Sequence, residues 1–387
     1  MDDHLFILFL IFAGAALVST LALYARQSLL VVYIVVGILL GPSVLGLVGD
    51  PAIIANMSEV GIIFLLFLLG TNLPPQKLLH LFRETTLVAG VSSLLFSAIG
   101  FGFALAFGFS LIESLLVGAT MMFSSTIIGL KLLPTTVLHH QHTGEIIISI
   151  LLLQDLVAIL ILMLLPAHGT ANDLSMELVK LLLSLIGVVT FAWLFERFVL
   201  VKLIQRFDQI REYIFLMAIG WCLSMAELAS LAGLSAESGA FIAGVVLATS
   251  PLALFIGESL KPLRDFFLII FFFALGASFD LSIIQQVLLP ATLLAALMML
   301  AKPFIFKWLL VHFGEEAPRS MEIGVRLGQI SEFSIFVAVL AWQLGVIGER
   351  ASYIIQVSTL LTFILSSWFV VQRYPTPIAA SEALRRD

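Results

Sequence analysis

The sequence predicts an all-α integral membrane protein of about 13 transmembrane helices, arranged as an inverted repeat with broken helices 5 and 12. Three observations predict it. Hydrophobic residues make up 61% of the 387-residue chain and charged residues only 11%, where a soluble domain averages about 25% charged. Apolar runs of about 20 residues recur, each long enough to cross a bilayer. Two stretches share glycine-centred patterns at a nearly constant offset, and polar clusters interrupt two of the runs at corresponding places.

The first span is read at 5–24. The chain opens Met-Asp-Asp-His without a basic n-region, and the run is longer than the roughly 7–15-residue core of a cleavable signal. Spans two to four follow at 29–47, 53–70 and 85–108. Span five, 111–133, contains Phe123-Ser124-Ser125-Thr126 inside an apolar helix. Span six, 144–165, carries Gln154-Asp155 at its middle. Span seven, 176–200, is a linker between a first repeat at about 5–165 and a second at about 211–373. Span eight, 211–231, places Glu227 near its interfacial end. Spans nine and ten are read at 234–251 and 264–279. Span eleven, 284–312, holds Lys302 followed by Pro303. Span twelve, 321–345, contains Gly328-Gln329-Ile330-Ser331-Glu332. Span thirteen, 352–373, leads into a short tail, 374–387.

Connector charges orient these spans. With the N-terminus outside, the odd-numbered connectors hold Arg26; Lys77 and Arg83; Lys202, Arg206 and Arg211; Lys261 and Arg264; and Arg319. The tail adds Arg373, Arg385 and Arg386, and among the even-numbered connectors Arg350 is the exception. The excess of Lys and Arg on one side places the N-terminus outside and the C-terminus in the cytoplasm of a cell inner (plasma) membrane, with a prokaryotic source expected.

The repeat is carried by two pattern pairs. Val35-Val36-Gly37-Ile38-Leu39 resembles Ile242-Ala243-Gly244-Val245-Val246, and Phe67-Leu68-Leu69-Gly70 resembles Phe273-Ala274-Leu275-Gly276. Gly37 and Gly244 are 207 residues apart, Gly70 and Gly276 206. An offset of 207 carries Ser124 onto Ser331, so the two polar interruptions correspond. The second copy begins seven spans after the first, and an odd number inverts it in the membrane. Inverted repeats of this kind place a substrate site at the midplane.

The chemistry follows from those midplane residues. An Asp at the centre of a membrane helix costs roughly 2.5–3.5 kcal/mol on insertion scales, and Lys302 is a second deep charge of opposite sign. The hydroxyls of Ser124, Ser125 and Thr126 compete for backbone groups and favour a helix break, and with Gln154 and Asp155 they are expected to bind the cation or proton. Gln329, Ser331 and Glu332 mark the corresponding break, and Glu332 either holds backbone amides there or contacts an ion. Pro303 lacks an N–H and frees the Met299 carbonyl. Lys302 is expected to pair with Asp155 until an alkali cation or a proton takes its place. Gln154 supplies a neutral amide beside that one titrating carboxylate. The resulting exchange is electroneutral, one proton per monovalent ion.

Other features carry less. His139, His140 and His142 form a cytoplasmic-side cluster readable as a solvated loop, a pH sensor or a metal site. The single Cys222 excludes an internal disulfide, and the 32 Phe residues are packed or lipid-facing. No basic stripe points to nucleic acid, and no enzyme chemistry or cofactor is expected. A gated potassium efflux channel would need a file of sites rather than one carboxylate. An intramembrane protease would need an aspartyl pair or a Ser–His arrangement.

Taken together, these residues resemble the Kef-type potassium/proton antiporters of the monovalent cation:proton antiporter-2 family. Leu151-Leu152-Leu153-Gln154-Asp155-Leu156-Val157-Ala158-Ile159 resembles their Gln-Asp motif. Gly61 to Gly70 is similar to their third helix, and Ser124-Ser125-Thr126 with Leu130-Lys131-Leu132-Leu133 to their broken fifth. Gly233-Leu234-Ser235 and Gly239 to Gly244 are similar to their ninth. Lys302 falls at their counter-charge lysine, and Gln329 to Phe333 at a Gly-Gly-Glu-Phe segment, with Ile330-Ser331 replacing the two glycines. The resemblance implies a sodium/proton-antiporter-like fold with a six-helix core, a dimerisation domain, elevator-type alternating access and a homodimer in the bilayer. It implies potassium/proton exchange, with sodium/proton exchange on the same fold as the rival. Kef-type proteins usually continue into a cytosolic nucleotide-binding regulatory domain; no such domain is expected within these 387 residues, and the resemblance implies a separate cytosolic regulatory domain or an ancillary subunit as a further partner.

Overall fold

A computed structural model describes residues 3–24, 29–48, 51–71, 83–131, 142–165, 174–207, 210–248, 250 and 253–376. The described chain is almost wholly helical. In order its elements are α1 (Asp3–Tyr24), α2 (Leu29–Leu40), α3 (Pro51–Thr71), α4 (Arg83–Ala106), α5 (Leu111–Met121), α6 (Thr126–Lys131), α7 (His142–Leu164) and α8 (Leu174–Phe195). A π-helical turn (Glu196–Leu200) leads into α9 (Val201–Arg206). Then come α10 (Arg211–Leu231), α11 (Ala236–Leu247), α12 (Ala253–Ala277), α13 (Leu281–His312), α14 (Ala317–Arg326), α15 (Glu332–Gln343) and α16 (Glu349–Arg373). Among the described residues, seven helices are long and apolar enough to cross a membrane, and several shorter apolar helices accompany them. Large apolar side chains such as Leu94, Leu183, Ile186 and Leu289 are exposed, as lipid solvation requires.

Local chemistry starts these helices where hydroxyls and carboxylates can take orphan amides. Ser110 and Glu113 form a reciprocal capping box on α5. Ser235 caps α11 by accepting from the Ser238 amide. Asp280 caps α13 by accepting from the Ser282 amide at 2.8 Å. Gly233, at φ +82°, makes the turn between α10 and α11 in a conformation L side chains rarely adopt.

The chain divides into two compact units. The first comprises 1–15, 33–80 and 162–278; the second comprises 16–32, 81–161 and 279–387. Neither is a contiguous repeat, for each takes matching helices from both.

In the first unit, α2 meets α12 and α3 meets α11 through glycines. A Cβ at Gly37 would sit on the Phe273 carbonyl oxygen, and one at Gly276 on that of Ile34. A Cβ at Gly244 would sit on the Phe67 carbonyl oxygen, and one at Gly70 would lie 2.6 Å from that of Phe241. Ile34 and Phe241 are 207 residues apart, Phe67 and Phe273 206. One crossing therefore maps onto the other under the offset read from the sequence. The core around them holds Phe64, Phe67, Trp221, Cys222 and Met225.

The second unit keeps the same relation. A Cβ at Gly118 of α5 would lie 2.6 Å from the Ser97 carbonyl oxygen of α4, and one at Gly324 of α14 2.6 Å from that of Pro303 in α13. Both partners are again 206 apart. Close backbone approach between α13 and α14 thus falls at the proline that follows Lys302.

The start of the tenth span differs most from the sequence expectation, and the second span ends early, its helix stopping at Leu40 rather than 47. Lys261 and Arg264, expected in a connector, lie inside α12, which begins at Ala253 and runs through Pro262. Ile256, Leu260, Leu263 and Phe267 recur at helical spacing and pack on the first unit's core. That apolar stripe keeps the segment helical despite its charges and proline. Glu227 is exposed near the end of α10. Arg26 and Lys77 lie outside the described residues.

Candidate functional site

The second unit contains two interrupted helices. Helical turns stop at Met121, pass through the non-helical Phe123-Ser124-Ser125, and resume at Thr126. They stop again at Arg326, pass through residues 327–331, and resume at Glu332. Hydroxyls start the second half of each. Ser125 Oγ accepts from the Ile128 amide at 3.1 Å, and Ser331 Oγ accepts from the Phe333 amide at 3.1 Å. Ser125 and Ser331 are 206 apart, so the structural register pairs Ser331 with Ser125, one residue from the match to Ser124. Under that register, Thr126 corresponds to Glu332.

Each interruption frees backbone groups that must find partners. The Ser124 amide donates to Gln154 Oε1 at 2.9 Å, and Ser124 Oγ donates to the Leu327 carbonyl at 2.9 Å. The Ile330 amide donates to Thr362 Oγ1 at 3.0 Å. Gln329 links the two breaks. Its Nε2 donates to the Ser125 carbonyl at 3.3 Å, and its Oε1 accepts from Ser366 Oγ at 3.0 Å.

Lys302 does not pair with Asp155 as the sequence led one to expect. Its ammonium donates to the Phe123 carbonyl at 2.6 Å, the Gln329 carbonyl at 3.0 Å and Ser124 Oγ at 3.3 Å. It also lies 5.3 Å from the ring centroid of Phe96, a cation–π geometry. The physical reason is the geometry of the breaks. An ammonium has three donors and no acceptor, and the two interruptions present carbonyl oxygens at one place. Phe96 is 206 residues before Lys302, so the repeat puts a ring opposite its own cationic counterpart.

Asp155 is 1% exposed. Its Oδ2 accepts from Thr126 Oγ1 at 2.8 Å, while its Oδ1 and Gln154 Nε2 are buried without a hydrogen-bond partner. A buried carboxylate oxygen left so is expensive unless a cation or proton completes it. Glu332 stands close enough to Asp155 for the two carboxylates to interact electrostatically. The site therefore sets two carboxylates beside the Thr126 hydroxyl, while the Lys302 ammonium is taken up by carbonyls of the two interruptions. Oxygen donors of this kind suit a hard cation.

The structure thus brings Asp155, Thr126 and Glu332 together, with Gln154 and Gln329 holding the breaks. The hydroxyls of Ser124, Ser125 and Ser331 are engaged in the backbone scaffold, and Thr126 supplies the hydroxyl that meets Asp155. Three contributors escaped the sequence reading: Phe96, Thr362 and Ser366. Adding 206 or 207 to Gln154-Asp155 lands at residues 360–362 and was the available signal for Thr362. His142 lies away from this cluster, its Nε2 2.7 Å from Glu315 Oε1 and its Nδ1 3.5 Å from Glu145 Oε2. His139 and His140 lie outside the described residues.

Three comparisons bear on this geometry. A sequence profile described as the transmembrane sodium/hydrogen exchanger family matches residues 7–371. Curated relatives include the glutathione-regulated potassium-efflux system protein KefC of Cronobacter sakazakii, 30% identical over 350 residues, covering 87% of this chain and 55% of that protein. K(+) efflux antiporter 5 of Arabidopsis thaliana is 29% identical over 374 residues, covering 93% and 64%. The iron transporter MagA of Paramagnetospirillum magneticum is 27% identical over 359 residues, covering 92% and 82%. The chain thus spans between about half and two thirds of the length of these two potassium-efflux relatives. Among solved structures, the sodium proton antiporter MjNhaP1 from Methanocaldococcus jannaschii superposes with a TM-score of 0.69 at 18% identity, covering 94% of this chain and 95% of that one. The fold is accordingly that of a sodium/proton antiporter.

Proposed function

Because the chain belongs to the transmembrane sodium/hydrogen exchanger family, we propose that it is an electroneutral cation/proton antiporter exchanging potassium for protons at Asp155. One observation carries this reading. Asp155 is buried beside two interrupted helices with a carboxylate oxygen unpartnered, next to a hydroxyl and a second carboxylate, while an ammonium ties the two interruptions together.

The charges set the stoichiometry. With Asp155, Glu332 and Lys302 all ionised, the site carries one net negative charge. One monovalent cation or one proton balances it, and the two exclude each other at Asp155. Thr126 orients the carboxylate through Oδ2 and leaves Oδ1 to the cation. Lys302 holds the two breaks together through Phe123 and Gln329, so the oxygen cage stays assembled in either state. Gln154 fixes the first break without adding charge. A site that faces one side of the membrane at a time converts this competition into exchange. The placement of every named group in one compact unit supports elevator-type movement of that unit, and the family resemblance supports a homodimer in the plasma membrane.

Potassium is favoured by the potassium-efflux relatives, and sodium by the solved antiporter. Proton movement in reconstituted vesicles, driven in turn by lithium, sodium, potassium and rubidium, separates them. Potassium and rubidium are expected to drive exchange. Exchange confined to sodium and lithium contradicts the potassium assignment and leaves the antiport.

A further inference from the structure

The last described helix, α16, contains no charge between Arg350 and Arg373, yet it buries a run of hydroxyl and amide side chains on its inner face. Ser352, Gln356, Thr359, Thr362 and Ser366 are each at most 4% exposed. Two of them reach the second helix interruption. Thr362 Oγ1 takes the Ile330 amide at 3.0 Å and donates to the Thr359 carbonyl at 2.8 Å. Ser366 Oγ donates to Gln329 Oε1 at 3.0 Å, one turn further along. The end of the helix touches the same segment again. Arg326, the last residue before the interruption, donates through Nη2 to the Pro375 carbonyl at 2.9 Å and lies 5.5 Å from the Tyr374 ring centroid.

The repeat supplies an independent argument. In the first interruption, the Ser124 amide is taken by Gln154 of α7. In the second, the Ile330 amide, 206 residues later, is taken by Thr362, 208 residues after Gln154. Thr362 therefore performs on α16 the holding task that Gln154 performs on α7. The connection continues to the carboxylate. Ser366 holds Gln329, Gln329 Nε2 holds the Ser125 carbonyl, and the next residue, Thr126, donates to Asp155.

We propose that Thr362 and Ser366 are positioning residues of the cation site, fixing the second interruption and, through Gln329, the Thr126 hydroxyl on Asp155. Neither side chain touches Asp155, so their loss weakens cation coordination without removing the group that trades the proton. The inference rests on the reading of Asp155 as the exchange site.

The test is potassium-dependent proton exchange by the full chain in proteoliposomes, with half-saturation and maximal rate measured separately. Thr362→Val keeps the shape of the side chain and strands the Ile330 amide; Ser366→Ala frees the Gln329 carboxamide. Each is expected to raise the half-saturating potassium concentration roughly five- to tenfold, the size of one lost buried hydrogen bond. Maximal rate is expected to stay within about twofold. Thr362→Ser and Ser366→Thr are expected to restore half-saturation. The two hydroxyls are separate probes, so a variant that fails to fold leaves the other to decide. Asp155→Asn, run alongside, separates the two levels of the argument. Exchange lost in Asp155→Asn, with unchanged half-saturation in the hydroxyl variants that fold, overturns this inference alone. Exchange retained in Asp155→Asn overturns the site assignment and this inference together.

Discussion

At the scale of the residue, Lys302 decides how the two interruptions are held. It holds carbonyls from both interruptions rather than neutralising Asp155 directly. Lys302→Met removes three donors and leaves buried acceptors unpaired, each costing about 1–3 kcal/mol. A drop of several degrees in the melting midpoint of the detergent-purified protein is expected, and an unchanged midpoint contradicts the pinning role. Asp155→Asn acts oppositely: it removes a buried charge, so the fold is kept while exchange is lost. Asp155 was legible in the sequence because a carboxylate flanked by leucines has no solvated alternative in a membrane span. The partners of Lys302 were not. They are carbonyl oxygens, which every residue carries, and they become available only where two helices stop at the same place.

At the scale of the element, glycines decide which helices cross. Gly37 and Gly244 are repeat equivalents, and a Cβ at either strikes a carbonyl oxygen of the facing helix. Gly37→Val and Gly244→Val are therefore expected to destabilise by similar amounts, about 1–3 kcal/mol for overpacking. Gly220→Ala, where nothing lies within 4 Å, is expected to be neutral or mildly stabilising. Unequal losses at the two equivalent sites argue against the repeat as the organising relation. These glycines were visible in the sequence as a pattern, and their offset was readable to within one residue. The start of α12 was not, because its apolar stripe is interleaved with Lys261, Pro262 and Arg264.

A second element-scale prediction concerns the connector between α13 and α14. Burial pushes the Glu315 carboxyl up, but hydrogen bonds from His142 and Arg319 outweigh it and hold it below the usual carboxylate range. A carboxylate with a lowered folded-state value stabilises above its unfolded value and loses that contribution as pH falls through the folded one. Glu315→Gln is expected to lower stability at neutral pH by no more than about 1 kcal/mol for this partly exposed cluster, read as a reduced melting midpoint. The difference should close on acidification below about pH 4. A difference that widens with acid reverses the sign of the argument.

At the scale of the whole molecule, hydropathy and connector charge speak to topology, and the site to stoichiometry. The charge bias predicts an external N-terminus and a cytoplasmic C-terminus. Cys222 is the sole cysteine and is fully buried, so single cysteines introduced as Asp2→Cys and Ser381→Cys can be labelled in the native background. The first should react with an impermeant maleimide in intact cells and the second only after permeabilisation; the reverse pattern inverts the protein in the membrane.

The central claim is that one proton and one alkali cation compete at Asp155. Its most direct test is potassium-driven proton exchange in proteoliposomes, measured over a pH series and at clamped membrane potentials. Competition at one carboxylate gives a half-saturating potassium concentration that rises about tenfold per pH unit on the acid side, an unchanged maximal rate and no dependence on voltage. Half-saturation indifferent to pH, or a rate that follows the potential, would contradict it.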